Sequence, residues 1–256
     1  MIINTNAAFG FWPFQRFSQD TPGKMSAHFK SEGISVSLVS SVEAILARDP
    51  DIYNREIVKK LKKYPNLQPV MVINPLLADC KERLNDYARL TKINVVKIYP
   101  AYHSYALDSE CMHPFMKELR VRQTALMVQA RIEDDRSQFP SMRVPSVDTS
   151  DIIRLAQKYP ANSIVCLCLS KSEAVNVLKS TENVFADISY MDGLNSIPDL
   201  LMQVPSEKIV FGSHTPFLYT ASARLKMAEI SGEEKEKIYS GNISSILDWG
   251  DIPETF

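Results

Sequence analysis

Glycine is scarce, with 8 in 256 residues. Neither a G-x-G-x-x-G nor a G-x-x-x-x-G-K-[S/T] string occurs, which counts against the usual nucleotide-binding folds. The four cysteines, Cys80, Cys111, Cys166 and Cys168, form neither a disulfide framework nor a zinc-ribbon spacing. Reduced thiols and a cytoplasmic location are the expectation. No apolar run approaches the roughly 18 residues of a membrane span. The opening Met1-Ile2-Ile3-Asn4 has neither the basic nor the apolar region of a secretory leader. Lys plus Arg (29) nearly match Asp plus Glu (30), and both signs are scattered. Without a basic patch or tail, no nucleic-acid or membrane partner is expected. Low-complexity tracts, linker-like stretches and short repeats are also missing.

What is present is alternation. Short β-branched runs at 2–6, 35–41, 68–74, 94–99, 125–131, 163–169, 184–190 and 208–214 are separated by longer segments. A polar first helix carries His28. Amphipathic segments follow at 54–64, 81–90, 114–120, 151–159, 172–179, 193–203, 221–230 and 233–247. The runs are near-continuously apolar, as in parallel strands covered on both faces. Eight strand–helix units in about 250 residues predict an α/β chain folded as a (β/α)8 TIM barrel, one domain over residues 1–256. An open doubly wound sheet would normally show fewer strands and a glycine-rich first turn.

In such a barrel every second strand residue faces inward, and chemistry collects where the strands end. The spacing puts Asn4 and Asn6 on one face, Lys97 with Val95 and Tyr99, Gln129 with Arg131, Cys166 with Cys168, and Asp187 with Ser189. The last run ends on His214, two residues after Gly212. Polar residues from six strands predict a site at the barrel mouth, because burying such a set unpaired costs several kcal/mol.

Four stretches carry a family resemblance: Ile3-Asn4-Thr5-Asn6, the run from Val96-Lys97 to His103, the run from Val128-Gln129 to Asp134, and Phe211-Gly212-Ser213-His214-Thr215-Pro216-Phe217. The chain resembles the amidohydrolase-related TIM barrels, metal-dependent hydrolases and decarboxylases. Gly241-Asn242-Ile243 fits that family's closing helix. The family's His-x-His metal ligands fall here on Asn4 and Asn6. Its strand-five histidine falls on Gln129, a strand-six histidine on Cys168, and its strand-eight aspartate on His214. Neutral amides are poor zinc ligands. The expectation is therefore no cofactor and no metal ligand, leaving room only for a weak divalent ion such as zinc.

Three functions follow. In the first, the chain is a hydrolase of this type, hydrolysing or decarboxylating a small anionic, carboxylate-bearing molecule by acid–base chemistry. His214 would be general base, His103 the acid and Cys168 a nucleophile if cations lower its pKa. Asn4, Asn6, Lys97, Gln129, Arg131 and Asp187 would hold the substrate. In the second, a pseudoenzyme binds a small ligand or partner without turnover. In the third, the barrel is a scaffold subunit. The aromatic segment Phe9-Gly10-Phe11-Trp12-Pro13-Phe14 suits a lid over the mouth or a contact in a homo-oligomer. The long stretch 132–147 reads as a lid or an exposed crossover. Its Glu133, Asp134, Asp135 and Arg136 read as a solvated charge run, with one acid free to pair with Arg131.

Overall fold

The computed structural model describes residues 1–91, 93–134 and 136–247; Asp135 and the last nine positions of the 1–256 span lie outside the described residues. The strands are β1 (Ile3–Phe9), β2 (Val36–Ser41), β3 (Leu67–Pro69), β4 (Met71–Val72), β5 (Val95–Ile98), β6 (Ala125–Gln129), β7 (Ile164–Leu167), β8 (Val184–Asp187) and β9 (Ile209–Val210). All neighbours pair in parallel, in two runs, β1-β2-β3 and β4 to β9. β3 and β4 are two pieces of one barrel strand. The break follows Pro69, which has no N–H to give a ladder. Across it, Val70 N–H donates to the Val39 carbonyl (2.9 Å) and Ile73 N–H to the Lys97 carbonyl (2.9 Å).

The chain beyond β9 closes the ring against β1. Thr5 N–H donates to the Phe211 carbonyl (2.9 Å), His214 N–H to that of Asn6 (2.7 Å), and Ala8 N–H to that of Thr215 (2.8 Å). The result is the closed eight-stranded parallel barrel that the alternation predicts.

Strand alternation separates two apolar layers. Ile3, Leu38, Val95, Met127, Val165 and Val210 belong to one buried cluster, the barrel interior. Their sequence neighbours Val96, Ile98, Leu126, Val128, Ile164 and Ile209 pack into a second, larger cluster with the helices. Around the barrel lie α1 (Pro22–Ser31), α2 (Glu43–Leu46), α3 (Asp51–Leu61), α4 (Cys80–Leu90), α5 (Met112–Val121), α6 (Thr149–Lys158), α7 (Lys171–Ser180), α8 (Ser196–Leu201) and α9 (Ala221–Met227). The segment predicted as one helix over 233–247 is instead α10 (Gly232–Glu236), a π-type turn over Lys237–Gly241, and α11 (Asn242–Leu247). The turn gives the Ile238 carbonyl to Phe211 N–H (2.9 Å), tying it to the last strand. From α11, Ile243 and Leu247 join the interior cluster.

Two strand ends depart from simple alternation. The β1–β2 register shifts between Asn4 and Ala7, so Asn4 and Asn6 do not share surroundings. Cys166 faces the helices, but Cys168 takes a left-handed backbone (φ 61°) that turns it off the alternating pattern.

Asn4 serves the barrel seam. Its Oδ1 accepts from Ser213 N–H (2.8 Å) and Asn6 N–H (3.2 Å), and its Nδ2 donates to Ser213 Oγ (2.9 Å) and Ser37 Oγ (3.4 Å). Each polar atom of this expected substrate-binding residue is hydrogen-bonded to backbone or to a neighbouring hydroxyl. Truncation strands two buried N–H groups, so Asn4→Ala is expected to lower stability by about 2–4 kcal/mol in urea denaturation.

Candidate functional site

At the C-terminal ends of the strands Asn6, Lys97, Gln129, Cys168, Asp187 and Ser189 meet on the barrel axis. Each is no more than 3 % exposed. Lys97 lies on the inward face of β5 with Val95. Its ammonium donates to Asn6 Oδ1 (3.0 Å) and lies 5.2 Å from the Tyr99 ring centroid. No carboxylate among the described residues forms an ion pair with it. Asn6 turns its Nδ2 to Asp187 Oδ2 (2.9 Å), with Cys168 Sγ (3.3 Å) and Ser189 Oγ (3.4 Å) close by. One amide thus bridges a cation and an anion.

Asp187, at the end of β8, is fully committed. Oδ2 also accepts from Ser189 Oγ (2.7 Å), and Oδ1 from Cys168 N–H (2.8 Å). It leans against Gly212, where an added methyl would overlap the carboxylate. Burial raises its pKa above the ordinary carboxylate value. Burial also lowers the Lys97 pKa from 10.5 to about 8, with Cys168 and Asp187 opposing the shift. Gln129 donates to Cys168 Sγ (3.0 Å) and the Arg131 carbonyl (2.7 Å). Its Oε1 is buried without a partner.

Four of the expected residues have surroundings that bear on their roles. Arg131 does not face the cluster. β6 ends at Gln129, and the guanidinium pairs two-pronged with Glu173 while donating to the Cys168 carbonyl (3.0 Å) and Ser146 Oγ (2.8 Å). Its charge is spent on the cap of α7, where Glu173 also accepts from Ser170 N–H (2.8 Å). Cys168 is not flanked by a cation that lowers its pKa enough to offset burial. Burial first, then the Asp187 charge, push its thiol up to about 12, where little thiolate forms at neutral pH. His214 reaches the mouth, also with a left-handed backbone (φ 56°). Its Nε2 donates to the Ile132 carbonyl (2.7 Å), and its ring stacks on Phe217 with centroids 5.0 Å apart. Burial drops its pKa to about 3, too low for a strong base. His103 sits apart, with Nε2 bonded to the Ala44 carbonyl (3.1 Å) and Nδ1 unpartnered. Burial lowers its pKa, and the bond to the Ala44 carbonyl opposes that shift.

The aromatic segment that the sequence offered as a lid or an oligomer contact packs as a cover. Trp12 is buried and meets Phe14, Tyr102 and Phe217 edge-on, at centroid separations of 5.3, 6.4 and 5.4 Å. Its Nε1 donates to Glu133 Oε1 (3.3 Å), so that member of the charge run reaches the cover. Asp134 pairs with Arg136 instead, as the solvated reading expects. Only the density of aromatics after the first strand signalled the cover. Ser40 escaped notice; its Oγ lies 3.0 Å from the Tyr99 hydroxyl. A cleft of about 390 Å³ lies off the axis, bordered by Ala101, Tyr105, Leu107, Pro145 and Val147.

No protein-family model matches the sequence, and no curated protein matches it. Solved structures do. The 5-carboxyvanillate decarboxylase of Sphingomonas paucimobilis aligns with 14% identity and a TM-score of 0.73, over 97% of this chain and 99% of that one. A dihydroxybenzoic acid decarboxylase from Polaromonas sp. JS666, with bound manganese and the inhibitor 2-nitroresorcinol, aligns with 13% identity and a TM-score of 0.74 over 96% of each chain. The 2,6-dihydroxybenzoate decarboxylase of Rhizobium gives 13% and 0.73, over 96% of this chain and 98% of that one. These likenesses establish the fold and bear out the sequence resemblance at the level of architecture.

The residues here do not suit a divalent ion. Among the described residues no group of three His, Cys, Asp or Glu is placed to hold one. Asn6 Oδ1 and both Asp187 oxygens already accept hydrogen bonds, and Cys168 is a thiol. A doubly charged ion 4 Å from the Lys97 ammonium would meet repulsion of about 8 kcal/mol at an effective dielectric of about 20. No helix among the described residues is long and apolar enough to cross a membrane.

Lys97 gives the cluster a pH signature. Its folded pKa lies below its unfolded one, so the unfolded chain binds the extra proton between the two. Burying the charge therefore costs stability in full below about pH 8, and the cost fades as pH rises toward 10.5. Relative to Lys97→Met, the wild type should gain up to about 3 kcal/mol across that window. Paired thermal melts as a function of pH check this.

Proposed function

We propose that the chain, one cytoplasmic domain over residues 1–256, binds a small aromatic carboxylate in the barrel mouth and acts as a lyase that removes CO2 from it. The observation that carries this reading is the buried Lys97 ammonium, which has one hydrogen-bond acceptor and no carboxylate in contact among the described residues. A ligand carboxylate supplies the missing counter-charge. A ring hydroxyl beside it supplies the donor that Gln129 Oε1 lacks. The rings of Tyr99, Trp12 and Phe217 suit a flat ligand, and the rings above the cluster must part for it to enter.

The reaction class follows from what the side chains supply. Hydrolysis needs an activated water, and neither His214 nor Cys168 provides a base at neutral pH. Loss of CO2 needs a carboxylate stripped of water and a proton donor. As the C–C bond breaks, its electron pair stays on the ring carbon and takes a proton from the Lys97 ammonium; the amine is then reprotonated from solvent. The neighbouring folds that act on 5-carboxyvanillate and 2,6-dihydroxybenzoate support the same ligand class. A second reading, binding without turnover, is favoured by the full commitment of Asp187.

In thermal-shift titration, 2-hydroxybenzoate should raise the melting temperature, its amide should not, and Lys97→Met should abolish the effect. Equal shifts from acid and amide, or a shift that survives Lys97→Met, would overturn the assignment. CO2 release from 2,6-dihydroxybenzoate or 5-carboxyvanillate decides between turnover and binding alone.

A further inference from the structure

We infer that Lys97 is the resident cation of this barrel, a covalently attached positive charge that stands in place of a bound divalent ion. The inference goes beyond the ligand reading, since it holds whether or not a carboxylate binds. The chemistry of the surrounding groups carries it.

An ammonium presents only N–H donors and needs acceptors around it, whereas a metal ion needs lone pairs and is repelled by donors. The cluster is arranged for the former. Asn6 directs its carbonyl oxygen to Lys97 and its N–H groups away, toward Asp187 and Cys168. Cys168 Sγ receives N–H from both Asn6 and Gln129, which suits a thiol and obstructs a sulfur–metal bond. Three of the positions that the family resemblance assigns to metal ligands, 6, 129 and 168, thus form one hydrogen-bonded group around Lys97 and Asp187. The fourth, His214, spends its Nε2 on the Ile132 carbonyl. The fifth, Asn4, spends its oxygen on Ser213 and Asn6 N–H.

Charge gives the same answer. Lys97 contributes one positive charge and Asp187 one negative, and the Asn6 amide joins them. The remaining titratable groups near Lys97, namely Tyr99, Cys168 and His214, are neutral. A divalent ion added here would leave two uncompensated charges in a buried site. The lysine also cannot be removed by a chelator.

The metal measurement uses the wild-type chain, so that arm needs no variant to fold. After dialysis against EDTA, thermal melts are recorded alone and with manganese or zinc chloride, and bound metal is measured by mass spectrometry. Melts that superimpose, with far less than one metal per chain, are expected. Stoichiometric metal with a rise of several degrees in melting temperature overturns the inference. In protein labelled with 15N-lysine, an ammonium resonance protected from solvent exchange is also expected near neutral pH, assigned by its loss in Lys97→Arg or Lys97→Met. A spectrum with only fast-exchanging lysines overturns it as well. Failure of 2-hydroxybenzoate to bind, with both metal and ammonium results as expected, would sink the ligand reading alone.

Discussion

The Asn6 side chain joins two groups that could not otherwise share the barrel axis. Its carbonyl oxygen takes a hydrogen bond from Lys97, and its amide nitrogen gives one to Asp187. Each charge is thereby stabilised through a dipole rather than by direct contact. The surrounding geometry depends on that bridge. Asp187 holds Cys168 N–H and so supports the left-handed turn at the end of β7. Cys168 in turn receives Gln129. Removal of either charge would leave the other buried without compensation, the situation that makes half of a buried pair more costly than none.

Much of this was legible in the sequence because strand alternation is a simple code. Lys97 and Asp187 fall on the inward face by counting from Val95 and Phe185, and both meet at the axis. The pairing of Gln129 with Arg131 failed because β6 stops at Gln129. Beyond a strand end the period of two no longer applies, and Arg131 finds Glu173, 42 residues away. No local pattern announces such a partner. Cys168 was placed inward for the wrong reason. Alternation groups it with Cys166, which faces the helices, and only the sign of one φ angle separates them. The shifted register in β1 similarly divided Asn4 from Asn6.

Side-chain chemistry was harder to read than position. Histidine and cysteine near strand ends suggest catalysis because their free pKa values lie near neutrality. The fold removes that advantage by burial. The His214 imidazole is held neutral under Phe217, and the Cys168 thiol is pushed beyond physiological range. The Lys97 ammonium, a group whose pKa moves readily on burial, is brought down to about 8. Burial depth is a property of the closed ring and its aromatic cover, so it could not be read from spacing.

Gly212 carries a consequence of another kind. Because it has no side chain, the carboxylate of the adjacent strand leans into the space beside it. The backbone of the last strand and the anion of the cluster therefore share one small volume. Substitution at this position meets two demands at once, the ring that must close and the acid that must fit. A single methyl group there would displace the Asp187 carboxylate, and with it the amide bridge to Lys97.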